Sequence, residues 1–291
     1  MLGLLVELDD RGSIETFLTV VVAGGFAKAD GGALMAALGR LDPARRAALI
    51  EHLVAGTAVG SLGACADLLA RAASAWAAES ACDLTGAARR LVEALPPGPA
   101  RATPQPAWKA GGPGVDADIV TDLLAGLCVI DLALAERATG HVLAAPKVYG
   151  MDAVLVPAAR RLGRAEAAQG TTALAMLRTA CLAHLHRRIA EPLAAPTDWR
   201  RDAALTCRCP RCAGLARFLA DSETRTWVLK APEAERAHVA HSIRQAGSDV
   251  DMTTDRTGRP YRLVCTKNQA SYERRTRQRR RDVKDAAELA E

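Results

Sequence analysis

The chain reads as a mostly α protein: an antiparallel helical stack, solenoid-like in its short helices, followed by a small α+β module with a β-hairpin. Three observations predict this. Apolar residues make up 49% of the 291 but aromatics only 3%, so the apolar content is largely alanine, leucine and valine, and alanine and leucine lose little entropy in a helix. Apolar residues recur at helical spacing in segment after segment before Pro192. Beyond Pro196 cysteines cluster, and two short β-like runs flank a polar turn. A chain of this length can bury a substantial core and is long enough for about two domains.

Residues 1–95 form the first helical region. The opening, Met1 to Asp10, is apolar from its second residue and has no polar cap, so it reads as the inside of a structural unit, as though the chain were one segment of a larger architecture. Ile14, Phe17, Leu18, Val21 and Val22 then keep the spacing of one helix face. Asp42-Pro43 is a helix start, aspartate as N-cap and proline at the first helical position. Leu49, Ile50, Leu53 and Val54 are the buried stripe behind it. Leu62, Cys65, Leu68, Leu69 and Trp76 mark another helix, and Leu84, Leu91, Val92 and Leu95 a further one. No clean repeat period emerges.

Residues 96–114 are rich in proline and glycine, lack helical period and read as an extended linker, with Trp108 in their midst. Residues 115–195 form the second helical region. Val120, Leu123, Leu124, Leu127 and Cys128 open it; a helix start at Asp152 precedes Val154, Leu155 and Leu162; Leu174, Leu177, Cys181, Leu185 and Ile189 close it. His184 borders the last apolar face and His186 points to solvent, so neither reads as a ligand. Residues 196–268 form the cysteine module: a short helix Leu215 to Ala220, a candidate strand Thr226 to Leu229, and a helix Pro232 to Ala246 closed by Gly247. Val250 to Thr254 and Tyr261 to Thr266 then make a two-stranded hairpin about a glycine-bearing turn. Residues 269–291 form a basic C-terminal helix.

The formal charge of +5 is modest and argues by itself for neither nucleic acid nor membrane. The longest apolar run, Phe17 to Phe26, is about half a membrane span and holds two glycines. Isolated Cys65, Cys82, Cys128, Cys181 and Cys265 fit buried small hydrophobes better than a disulfide framework. With no leader pattern at the start, a cytoplasmic protein is expected.

Chemistry concentrates in Thr206 to Gly214, T-C-R-C-P-R-C-A-G. The two-residue gap of Cys209-Pro-Arg-Cys212 lets two thiolates address one ion, the proline tightens the turn, and Gly214 lets the chain curl back, the form of a zinc knuckle. Cys207 adds a third thiolate. A fourth ligand is needed. His238 is the first choice, His241, one helical turn on, the second, and Cys265 an alternate that reads better as core. Three thiolates and one imidazole fill a tetrahedron and leave no place for water, the structural Zn2+ pattern. No H-E-x-x-H, phosphate-binding G-x-x-x-x-G-K-[ST], G-x-S-x-G, strand-linked G-x-G-x-x-G or thioredoxin context accompanies it.

Pro157-Ala158 after the Asp152 helix start, Asp198-Trp199-Arg200, the three cysteines, Leu215-x-x-Phe218-Leu219, Arg236-x-His238, and Gly258-x-Pro260 followed by Leu263-Val264-x-Thr266-Lys267 form a set. Together they resemble a region found beside two-oxoglutarate/iron(II) oxygenase domains of the prolyl-hydroxylase type. The resemblance spans about Asp118 to Leu289. It implies that the Cys/His set is a family feature and that the partner is an attached oxygenase domain. The iron ligands of such a domain have no counterpart, so the activity does not transfer. The expected function is thus a non-catalytic, zinc-stabilised helical module that binds a protein or an oxygenase; a fragment of such an oxygenase lacking its catalytic domain is one alternative. A nucleic-acid binder is the other, resting on Arg274, Arg275, Arg277, Arg279, Arg280 and Arg281, with Arg208 and Arg211 at the knuckle. Against it, Tyr272 is the lone nearby aromatic, and Asp282, Asp285, Glu288 and Glu291 follow at once.

Overall fold

Aspartate caps and alanine–leucine stripes build most of the molecule. The computed structural model describes residues 2–76, 78–79, 81–96, 114–202 and 204–290. The stretch expected as a linker, Trp108 included, lies outside the described residues except at its two ends. The chain divides into two compact units, Met1–Arg187 with Val283–Glu291, and Arg188–Asp282. Among the described residues it is mostly helical, with one three-stranded antiparallel sheet, and no helix is long and apolar enough to cross a membrane.

The first unit contains α1 (Leu2–Glu7), α2 (Arg11–Val20), α3 (Gly31–Leu38), α4 (Pro43–Thr57), α5 (Leu62–Trp76), α6 (Thr85–Glu93), α7 (Ala117–Ile130), α8 (Leu132–Ala144), α9 (Val156–Leu162) and most of α10 (Thr172–Ala190). Carboxylates start four of them. Asp10 accepts from the Ser13 amide, Asp42 from Arg45 with Pro43 next to it, Asp116 from Ile119, and Asp131 from Ala133 and Leu134. Such a cap contributes about 1 kcal/mol. The expected stripe Leu49, Ile50, Leu53 and Val54 is buried on α4. Leu68 and Leu69 of α5, with Leu123, Leu124 and Leu127 of α7, form the interior. Those two helices approach closely because Gly126 has no side chain: a Cβ there would stand 3.2 Å from the Cα of Ala70. The isolated Cys65, Cys82, Cys128 and Cys181 are buried. Burial raises their thiol pKa values, that of Cys181 to about 12, which keeps them protonated.

Two expectations change here. The opening does not behave as interior: α1 buries no residue, and Leu4 and Leu8 are exposed. The helix expected to start at Asp152 instead begins as a π-helical turn over Met151–Leu155 behind Gly150, and passes into α9 with Pro157 in its first turn. Proline lacks an N–H and disturbs regular bonding in the turn before it, and the wider turn accommodates this.

The second unit contains α11 (Pro210–Ala220), β1 (Thr226–Lys230), α12 (Glu233–Ala246), β2 (Val250–Asp255), β3 (Arg262–Lys267) and the first turns of α13 (Ala270–Ala290). The expected hairpin is present as β2–β3, turned at Asp255, whose carboxylate accepts from the Thr257 amide, and at Gly258, where φ is +80°. It is not two-stranded. β1 adds to the other edge of β3, so the order is β1-β3-β2, with Trp227 and Met252 both opposite Cys265. α12 supplies the connection from β1 to β2 and stops at Gly247, whose φ of +61° suits glycine. One face of the sheet is packed. Leu229, Leu263 and Cys265 join Leu215, Phe218 and Leu219 of α11 and Val239 and Ile243 of α12.

Lys267 continues the inward face of β3 and is fully buried. Its Nζ donates to the Asp221 carbonyl at 2.6 Å and lies 4.5 Å from the centre of the Phe218 ring. It thereby satisfies a carbonyl at the end of α11, and burial pushes its ammonium below the ordinary lysine range.

Candidate metal centre

Local sequence places three of the four candidate ligands. Cys209 is the N-cap of α11 with Pro210 at the first helical position, and its sulfur accepts from the Cys212 amide at 3.4 Å. The helix therefore starts within the knuckle, five residues before the Leu215 start expected from the apolar pattern. A thiolate suits this position, because free N–H groups and the helix dipole favour negative charge there. Cys212 sits in the first turn of α11 and is buried. Cys207 precedes the helix and is half-buried.

The fourth group comes from α12. His238 Nε2 lies 3.5 Å from Cys209 Sγ and 3.3 Å from Cys212 Sγ. One ligand atom from each of Cys207, Cys209, Cys212 and His238 lies within 4.8 Å of all the others, close enough to hold a metal ion. A tetrahedral ion with metal–sulfur legs of about 2.3 Å and metal–nitrogen legs of about 2.0–2.1 Å implies sulfur–nitrogen edges of about 3.5 Å. The residues fit such an ion.

The alternates lie elsewhere. His241 is exposed and outside the cluster, since three residues of helix leave it about 60° short of a full turn from His238 and about 4.5 Å along the axis. Cys265 is fully buried in the apolar core, where its thiol pKa is pushed up to about 11. His184 Nε2 lies 3.0 Å from Asp152, and His186 is exposed.

Two supporting contacts escaped sequence reading. Ser242, one turn beyond His238, bonds the His238 carbonyl at 3.0 Å and stands 3.5 Å from Cys212 Sγ. Arg211 within the knuckle pairs with Glu235 on α12 at 2.5 Å. An i, i+4 serine beside a ligand histidine was the available signal for the first.

The thiols differ. The Cys212 amide, donating to Cys209 Sγ, is the main cause holding that thiol down to about 6, against the opposing effect of burial. Burial pushes Cys212 up to about 11, opposed by the Ser242 hydroxyl. Thiol ligands bind metals as thiolates, so metal binding here releases protons.

The chemistry defined is a Cys3His cluster able to bind a metal in a mostly helical chain. No family model, no curated protein and no solved structure matches the chain.

Proposed function

We propose that Cys207, Cys209, Cys212 and His238 hold one structural Zn2+, and that the module so formed binds another protein or an attached oxygenase domain without itself being a catalyst. The convergence of three sulfurs and one imidazole nitrogen within 4.8 Å carries the reading. Thiolates favour zinc among the common divalent ions, and a Cys3His tetrahedron has no open position for water or substrate. The oxygenase as partner rests on the sequence resemblance alone. Protein purified without chelator should carry about one zinc per chain. A two-oxoglutarate oxygenase domain supplied in trans should co-purify with wild type and not with Cys209→Ser. Metal-free protein that still captures the domain would separate the binding claim from the zinc claim and defeat the link between them.

A second reading, polyanion binding, is favoured by how charge divides. Residues 188–282 hold 20 lysines and arginines against 12 aspartates and glutamates, a formal +8, so the rest of the chain carries −3 of the total +5. Two of the α13 arginines are engaged, however: Arg275, though exposed, donates to the Pro192 carbonyl and the half-buried Arg279 to that of Glu191, while Arg274, Arg277, Arg280 and Arg281 are exposed. On this reading, labelled single- or double-stranded oligonucleotides bind at about 50 mM salt, with a log–log salt slope near −0.7 to −0.9 per phosphate contacted. Replacing Arg277 and Arg281 by glutamine lowers that slope by about 1 each. Absence of binding to either polymer at that salt removes the reading.

A further inference from the structure

A second polar site lies in the first unit, apart from the cysteines. The end of α9, the loop behind it and α10 enclose a pocket of about 220 Å³, lined by Arg160, Gly163, Arg164, Gln169, Arg178 and Glu288. The three arginines are not equivalent. Arg160 is spent: its Nε and Nη2 donate to Glu288, and its Nη1 to Asp285 at 2.8 Å. Arg164 reaches Glu288 only at 3.5 Å, on a side chain that is 75% exposed. Arg178 has neither an acidic partner nor a hydrogen bond among the described residues, and its Nε is buried with no acceptor.

A buried donor with nothing to donate to is costly, and native proteins rarely leave one. The surroundings do not supply the acceptor. The Gln169 side-chain nitrogen donates to the Gly163 carbonyl and, being itself a donor, offers Arg178 no acceptor. Gly163 lets the guanidinium lie against bare backbone: a Cβ there would stand 3.2 Å from Arg178 Nη2. Glu288 is held by Arg160, which keeps its carboxyl below the usual range, and Lys284 stands 3.9 Å from it. Arg178 and Arg164 thus leave positive charge facing the pocket after Glu288 and Asp285 have been matched with Arg160.

We infer that this pocket binds a small oxyanion, with Arg178 as its principal ligand and Arg164 as a second, mobile one. The planar fork of an arginine matches the oxygen pairs of phosphate or carboxylate. Arg160, Arg164, Arg178 and Lys284 against Asp285 and Glu288 leave a net +2 around the pocket, which favours a dianion, hence phosphate or a small phosphate monoester. The volume falls below the roughly 300–1,000 Å³ of pockets for drug-sized ligands, which fits a single anionic group with little attached.

The test uses the full chain and inorganic phosphate as probe, read by isothermal titration and by thermal shift, with sodium chloride at matched ionic strength and acetate as comparison arms. Phosphate should bind saturably and raise the melting temperature where chloride does not, and acetate should bind more weakly. Arg178→Gln should weaken phosphate about tenfold or more, as expected for loss of charge-assisted bonds. Arg164→Gln, an exposed change that leaves folding intact, should weaken it by a smaller factor. Phosphate no different from chloride on wild type overturns the inference whatever the variants do, as does equal phosphate affinity in wild type and Arg178→Gln.

Discussion

Cys209→Ser should release the metal and melt the second unit while the helices before Arg187 persist. The core of that unit is short of large side chains: Leu215, Leu219, Leu229, Val239, Ile243, Val250 and Leu263 pack with the single ring of Phe218 and with Trp227 at its margin. A core of that size offsets chain entropy only narrowly. Metal binding by a small module contributes on the order of 10 kcal/mol, so its loss outweighs any other single change considered. The four ligands also tie the start of α11 to the middle of α12, so one missing thiolate frees both helices from each other. Cys209→Ser removes the thiolate ligand while the serine hydroxyl can still accept from the Cys212 amide as N-cap, so the loss reads the metal and not the cap. His238→Ala should do less harm, since water can enter the fourth position, and His241→Ala should change nothing. Zinc release read with a chromogenic chelator, together with circular dichroism during denaturation, checks all three. A Cys209→Ser protein with full zinc and an unchanged transition contradicts the assignment.

Lys267→Ala should cost the zinc-loaded protein about 3 kcal/mol, from a buried stem removed and a carbonyl left without its charged donor. The side chain is fully buried on the central strand, where it connects the end of α11 to β3 through the Asp221 carbonyl. Lys267→Met keeps most of the volume and should recover part of the loss, leaving only the unmet carbonyl. Urea denaturation of the two variants beside wild type measures both numbers. A loss within 0.5 kcal/mol for alanine would mean that water replaces the ammonium at no cost.

The sequence was most informative where structure is local. α4 is legible because Asp42-Pro43 starts it and a 3.6-residue stripe follows. The metal cluster is legible for the same reason, since three of its four members fall within six positions. His238 and His241 were harder to separate, because one turn of helix brings either near the same face and only packing against α11 selects between them. The pairing of β1 with β3 joins segments separated by all of α12 and β2, and no periodicity records such a partnership. The start of α11 was hidden because Cys209 and Pro210 read as a knuckle and not as a helix cap, though the chain uses them as both. The lone Arg178 guanidinium also has no sequence signature: an arginine among apolar helix positions looks solvated until its neighbours are placed.

The central claim is one tetrahedral metal held by Cys207, Cys209, Cys212 and His238. X-ray absorption at the zinc edge of the purified 291-residue chain tests it most directly. The account predicts three sulfurs at about 2.3 Å and one nitrogen at about 2.0–2.1 Å, with the nitrogen contribution lost in His238→Ala and retained in His241→Ala. A folded protein with no bound metal, or a first shell of oxygens and nitrogens without sulfur, contradicts it.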